Sequence, residues 1–286
     1  MNKYRGRFAP SPTGPLHFGS LFAAVISYLD AKTHAGYWLV RIEDIDPLRE
    51  KADSKKSILD TLEAHGLCSD EDVIYQSQQS SAYETVLSRL ADKGYTFHCP
   101  CSRKQLDRNL GKHTQACTDQ RFTNETLAIK FKANQQRYSW QDGLQGIQSE
   151  HLTDDFVLRR KESFYAYQLA VVCDDITQNI SHVVRGHDLL SSTPMQLALY
   201  EALEAAPPSF SHFPIISSEG QKLSKQNFAE PVDPKLALFN LSEVFRLIGL
   251  TLPAKPSNIG QALDMATMVW ETHLLSKKRE IIMIKS

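Results

Sequence analysis

Two short stretches carry residues whose types and spacing suit phosphate chemistry. RFAPSPTGPLHFGS, residues 7–20, sets His17 two residues before Gly19, with Ser20 next and an apolar run behind. A glycine-containing turn between a first strand and a long helix is where α/β proteins bind phosphates, because the helix start offers free N–H groups and a positive dipole end. The stretch is neither a P-loop nor a GxGxxG turn. Judged alone, His17 reads equally well as a helix cap, and the prolines as stiffeners of a turn. QKLSKQN, residues 221–227, sets Lys222 and Lys225 three apart around a serine. Two ammonium groups there suit a polyphosphate and the charge that builds on it in a transition state. A lone K-x-x-K is usually a solvated turn; the two stretches together are far more specific than either.

A third constellation is built for a soft metal. Cys99, Cys101, His113 and Cys117 form C-x-C-x11-H-x3-C, and Cys3His is a common structural set for Zn²⁺. The surrounding segment is polar, so a metal would supply what an apolar core does not. His98 competes for the fourth position, and free thiols on a polar loop are the alternative. Cys68 and Cys173 read as small buried apolar residues. Five cysteines, an odd number with three crowded together, point to metal or thiols rather than a disulfide framework.

The elements that must hold these residues follow from periodicity. GRFAPS ends a short strand. Leu21, Val25, Tyr28 and Leu29 then recur at helical spacing until Gly36. YWLVRIED, DVIYQSQ and YTFHC read as strands, separated by the helices SKKSILDTLEAHG and SAYETVLSRLADKG. Such alternation predicts a parallel sheet in an α/β fold. It breaks over residues 99–165 and resumes with FYAYQLAVVCDD, the strand SHVVRG and the helix TPMQLALYEALEAA. A strand pair with its turn at Glu219-Gly220 follows, and from Pro231 the chain reads as helical to its end. The expected organisation is a sheet domain in two parts, 1–98 and 166–230, an insertion at 99–165 and a helical region at 231–286.

With 286 residues, 42% hydrophobic and a net charge of −1, the composition is that of a globular protein and carries no bulk sign of a nucleic-acid partner. No apolar run approaches the roughly 20 residues of a membrane helix, and the N-terminus has no apolar leader. A cytoplasmic, membrane-free monomer is expected.

APSPTGPLHFGS and KLSKQ resemble the HIGH and KMSKS signatures of class I aminoacyl-tRNA synthetases, and look most like the glutamyl-tRNA synthetase family. RIEDID, AYQLAVVCDD and VVRGHDLLSSTPMQ extend the resemblance over roughly residues 4–250. It implies a Rossmann-type catalytic domain with a parallel sheet, a zinc-binding insertion in some members, and activation of L-glutamate by ATP with Mg²⁺. His17, Gly19, Lys222 and Lys225 would be catalytic, and Pro10, His17, Gly19, Ser20 and Lys225 would hold ATP. For the glutamate pocket, Arg7 and Arg185 are candidates for a carboxylate, since arginine makes a paired fork to it, and Glu43 for the ammonium. Ala9, Ser11 and Tyr167 match family positions that line the pocket. Asp174 and Asp175 are open as contacts to the nucleotide or the glutamate ammonium, with no role assigned to either.

The departures narrow the resemblance. About 60 residues follow Lys225, Gln226 stands where a basic residue is usual, and RGHDLL replaces an acidic GEEHL type. These resemble the glutamyl-Q tRNA(Asp) synthetases, truncated paralogues that attach glutamate to queuosine in the anticodon loop of tRNA(Asp). The insertion would then meet the anticodon stem-loop, and the product would be an alkali-labile ester. Phe18, Ser20 and Leu223 deviate from the signatures without removing a group the chemistry needs. The rival expectations are a shortened enzyme charging a tRNA 3′ end, a silent RNA- or synthetase-binding paralogue, and an unrelated nucleotidyl transferase.

Overall fold

The computed structural model describes residues 3–101, 104–105, 127–218, 221–222 and 230–282. The first part of the chain gives β1 (Arg5–Phe8), α1 (Phe18–Thr33), β2 (Tyr37–Ile42), α2 (Ser54–Ala64), β3 (Ile74–Tyr75), α3 (Ser80–Asp92) and β4 (Thr96–Cys99). Four strands follow: β5 (Ala128–Phe131), β6 (Arg137–Asp142), β7 (Gly146–His151) and β8 (Phe156–Arg159). The chain then forms α4 (Tyr167–Thr177), β9 (His182–Gly186), α5 (Thr193–Ala202) and β10 (Ser209–Phe213). Last come β11 (Ile215–Ser218), β12 (Gln221–Lys222), α6 (Ala237–Ile248), α7 (Ile259–Val269) and β13 (Glu280–Ile282).

The central layer is parallel. β1 pairs with β2, β2 with β3, and β9 with β10. The Ser181 N–H donates to the Arg5 carbonyl at 3.0 Å, which sets β9 beside β1. Strands covered on both faces must be apolar on both, and β2 is buried at five consecutive positions. On one face α1 buries Leu21, Phe22, Val25, Ile26 and Leu29 against the sheet, and Leu241, Val244, Phe245 and Leu263 of α6 and α7 complete that core. The other face is closed by α3, α4 and α5 through Tyr83, Leu87, Leu169, Val172 and Leu199. No helix among the described residues is long and apolar enough to cross a membrane.

Three expectations are corrected. β4 does not join the parallel layer; it pairs antiparallel with β5, and β5 with β8. The insertion 99–165, read as polar and irregular, carries strands whose Ile129, Phe131, Leu152, Phe156 and Leu158 enter the core beneath α3, α4 and α5, and β6 pairs with β10. The chain is also not helical to its end, because β13 adds to the free edge of β11, where the β-branched Ile281 and Ile282 fit a pleated surface.

Candidate active site

Four parallel strands end at one edge. β1 runs into Ala9, Pro10 and Ser11, β2 into Glu43, β9 ends with Arg185 and Gly186, and β10 with Phe213 and Pro214. A cavity of about 620 Å³ opens there, the place where parallel α/β sheets bind ligands. Arg7, Ala9, Pro10, Ser11, His17, Gly19, Ser20, Glu43, Tyr167 and Arg185 all line it. A smaller recess of about 90 Å³ shares Ser11, Thr13, Glu43, Arg49 and Tyr167 with it, beside the Arg160–Asp46 ion pair at 2.9 Å.

Local geometry explains the proline-rich turn. The Thr13 N–H donates to the Ser11 carbonyl at 2.9 Å, and the Lys51 N–H to Pro12 at 3.1 Å. The Glu43 N–H donates to Pro10 at 3.0 Å, tying the exits of β1 and β2 together. Gly14 has φ 147°, which a residue with a Cβ adopts only under strain. The chain then enters α1 through His17, which is the N-cap: its Nδ1 accepts the Ser20 N–H at 3.2 Å. The capping reading of His17 therefore holds, and the same side chain lines the cavity. No acidic residue lies in the first turn of α1, so no carboxylate of that turn offsets its positive end.

Two of the cavity arginines are in opposite electrostatic situations. Arg7 donates through Nε and Nη2 to Asp175 at 3.3 and 3.2 Å, so its charge is paired inside the protein. Arg41, fully buried one strand away, donates to the same carboxylate at 2.7 Å. The two guanidinium groups hold Asp175 below the usual carboxylate range although burial opposes this. Arg185 is as buried as Arg7, at 4% exposure. Its partners are His212 Nε2 at 2.9 Å, Gln196 Oε1 at 2.7 Å, Thr193 Oγ1 at 2.9 Å and the Leu189 carbonyl at 3.2 Å. Burial pushes its guanidinium down, with Arg7 opposing it as well and Tyr167 and Asp175 nearby favouring the charge. No carboxylate among the described residues forms an ion pair with it. Burial likewise pushes the Glu43 carboxyl up to about 7, against the pull of Arg41 and Arg7.

Arg41, Asp174 and Asp175 had no assigned role in the sequence. Asp174 accepts from Gln76 at 2.7 Å and from the Tyr83 hydroxyl at 2.9 Å, so the two aspartates underpin the cavity floor. The available signal was an arginine inside the apolar run YWLVRI and two aspartates closing the apolar run AVVC; charges in buried elements require partners.

The remaining expected residues are described in part. β12 carries Lys222, paired in register with Ser217 on β11, and Ile215 and Ile216 at the start of β11 line the cavity. Lys225 lies outside the described residues, as do His113 and Cys117. Cys99 is buried with Phe97, and Cys101 packs against them, so two of the four metal-ligand candidates are together. His98, between them on β4, is exposed while Phe97 and Cys99 are buried, and successive strand side chains face opposite ways. That separates it from the thiols. Among the described residues no group of three His, Cys, Asp or Glu side chains is placed to hold a metal. Cys68 is exposed, against expectation, while Cys173 is buried.

Residues 3–237 match the family of class I tRNA synthetases (E and Q), catalytic domain. The chain is 47% identical to a glutamyl-Q tRNA(Asp) synthetase of Xanthomonas campestris pv. campestris (strain 8004), over 90% of this chain and 88% of that one. It is 41% identical to the protein of the same name from Pseudomonas paraeruginosa, over 97% of each chain. The glutamate-tRNA synthetase structure from Elizabethkingia anophelis superposes with a TM-score of 0.78 at 26% identity, covering 99% of this chain and 68% of that one. The sheet-edge cavity and these likenesses agree: the chain belongs to the glutamyl-Q tRNA(Asp) synthetase family of class I tRNA synthetases, a family of ligases.

Proposed function

We propose that this enzyme activates L-glutamate with ATP and transfers the glutamyl group to queuosine in the anticodon loop of tRNA(Asp). One observation carries the substrate reading: Arg185 is a buried cavity guanidinium whose hydrogen-bond partners among the described residues are all neutral. An uncompensated buried charge is costly, and a ligand carboxylate offsets that cost with a paired fork. Glu43 on the same cavity wall supplies the complementary acid for an ammonium. Arg7 and Tyr167 flank the carboxylate end, and Ala9 and Ser11 form the wall between.

The α1 N-terminus at His17, Gly19 and Ser20, with Pro10, would receive the ATP phosphates. Mg²⁺ enters with ATP as part of the substrate. The α-carboxylate oxygen of glutamate attacks the α-phosphorus, and pyrophosphate leaves in line with charge stabilised by Lys222 and Lys225. A hydroxyl of the queuosine cyclopentenediol then attacks the acyl carbon, AMP leaves, and an ester remains. In this site the protein supplies position and charge. The relatives named above carry the tRNA(Asp) specificity in their names, which favours queuosine over a tRNA 3′ end as acceptor.

We read 99–165 as the acceptor-binding part. Its paired Cys99 and Cys101 fit a structural Zn²⁺ that His113 and Cys117 complete. Purified enzyme should contain about one zinc per chain by elemental analysis. Cys99→Ser/Cys101→Ser should lose the metal and transfer activity while retaining most ATP–pyrophosphate exchange, since neither cysteine lines the cavity.

The deciding experiment is glutamate-dependent exchange of labelled pyrophosphate into ATP without tRNA, followed by transfer to tRNA(Asp) with and without queuosine. Exchange and queuosine-dependent, alkali-labile transfer are expected. Exchange only with tRNA(Glu) would make the chain a 3′-end charging enzyme, and no exchange at all a silent binder. Arg185→Ala should raise the glutamate KM about 100-fold, the scale of a lost charge-assisted pair, and leave the ATP KM nearly unchanged.

A further inference from the structure

Arg185 does not hold its orientation alone. Its Nε–H donates to His212 Nε2 at 2.9 Å, so that nitrogen must present a lone pair. The opposite ring nitrogen, Nδ1, lies 2.5 Å from Asp142 Oδ2. The other oxygen of Asp142 accepts three backbone N–H groups, from Leu144 at 3.1 Å, Gln145 at 3.0 Å and His212 itself at 3.1 Å. Asp142 and His212 are both fully buried. The His212 bond and these N–H groups hold the Asp142 carboxyl below its ordinary range despite burial, so it stays an acceptor. An acceptor at Oδ2 requires the proton on Nδ1, and a proton on Nδ1 leaves Nε2 free to accept from Arg185.

The three residues come from three strands. Asp142 ends β6, His212 lies on β10 and Arg185 on β9. β6 meets β10 in register at Phe210–Asp142, and the Gly143 N–H donates to the Phe210 carbonyl at 2.9 Å. The Ser211 Oγ occupies the space beside Gly143 where a Cβ would stand, 2.3 Å from that position. Asp142 is thus delivered behind Arg185 by the segment between the two parts of the parallel sheet, and it does not line the cavity itself.

We infer that Asp142 and His212 are positioning residues for the amino-acid substrate: by fixing the Nδ1–H tautomer of His212 they aim the Arg185 fork at the substrate carboxylate. The inference rests on the reading of Arg185 as the carboxylate anchor. Asp142→Asn tests it with little change of shape. The three backbone N–H groups keep the amide oxygen on their side, so the amide N–H₂ faces Nδ1. The ring must then accept at Nδ1 and carry its proton on Nε2, against the Arg185 Nε–H. The glutamate KM in pyrophosphate exchange should rise about 10- to 100-fold, as when a hydrogen bond to a charged group is lost, with the ATP KM within about twofold.

A direct readout uses the unmodified enzyme. In ¹⁵N-histidine-labelled protein, His212, assigned from the signal missing in His212→Gln, should show a pyrrole-type Nδ1 and a pyridine-type Nε2. An Nε2–H tautomer in the unmodified enzyme overturns the inference, even if Asp142→Asn fails to fold. So does a folded Asp142→Asn enzyme with an unchanged glutamate KM, or with both KM values raised alike, as a merely structural role predicts. Arg185→Ala in the same assay separates the two claims. If it raises the glutamate KM and Asp142→Asn does not, only the positioning role falls; if it leaves that KM unchanged, the carboxylate reading falls with it.

Discussion

Glu43 shows how a single residue carries both a cost and a use. Its carboxyl is pushed up to about 7 by burial, whereas an unfolded chain ionises it near the ordinary value. The fold therefore binds a proton that the unfolded chain has already released. The resulting stability is complete below the ordinary value and is lost as pH rises through about 7, on the order of 2–3 kcal/mol by pH 8. Glu43→Gln should accordingly melt higher than the native enzyme at pH 8, with the gap closing toward pH 5, as thermal denaturation at the two pH values would show. The same titration should govern substrate binding. An ammonium prefers the ionised carboxyl, so the glutamate KM should fall as pH rises from 6 to 8 while the ATP KM holds steady. Arg185 presents the converse, a charge without an ion-pair partner among the described residues, whereas Arg7 has its charge already paired to Asp175.

Among the elements, α1 performs two tasks through one histidine. As N-cap, the His17 side chain shares the Ser20 N–H with the His17 carbonyl; as cavity wall it faces the place proposed for ATP. His17→Ala should cost about 1 kcal/mol of stability, the usual size of a lost cap, and also lower the exchange rate. His17→Asn restores a capping oxygen, so its urea midpoint should return toward that of the native enzyme while exchange stays low. A difference between the two variants in exchange rate that merely tracked stability would leave His17 as a cap alone. The contiguous motifs explain why this part of the site was legible in the sequence: residues 7–20 and Glu43 lie at strand exits that follow from hydrophobic periodicity. What was hidden depends on long-range pairing. β4 looks like one more parallel strand until β5 is seen beside it. Arg41 meets Asp175 from 134 positions away, and Asp142 meets His212 from 70. Periodicity records which face of an element is buried, and is silent on which distant charge waits there.

For the whole molecule, Asp30 joins regions far apart in the chain. Near the C-terminal end of α1, whose N-terminal end lines the cavity, this buried carboxylate accepts from the Tyr4 hydroxyl at 2.5 Å, the Trp270 indole at 3.2 Å and the Thr272 hydroxyl at 2.9 Å. It ties the strand that begins the sheet to the segment after α7, across a core that α1, α6 and α7 share. Removing it orphans three donors at once, and buried donors without acceptors are expensive. Asp30→Ala should lose roughly 2–4 kcal/mol in urea denaturation. The β-branched end of the chain adds a second tie, since β13 pairs with the strand whose first residues wall the cavity. The sequence showed the helices of this region through their amphipathic spacing; it did not show β13, whose three residues are too few for a period to register.

The bond between Trp270 and Asp30 has an optical side. Trp38 and Trp270 are buried, and Trp140 on β6 is only partly so. Trp270 is the indole that belongs to the segment packed across α1, and its ring nitrogen donates to the Asp30 carboxylate. In a chain where phenylalanine replaces the other two tryptophans, emission colour would report the exposure of Trp270 alone, whether the C-terminal helices undock from the sheet or the whole chain unfolds. An emission shift that precedes the loss of helical circular dichroism would mark local opening ahead of global unfolding.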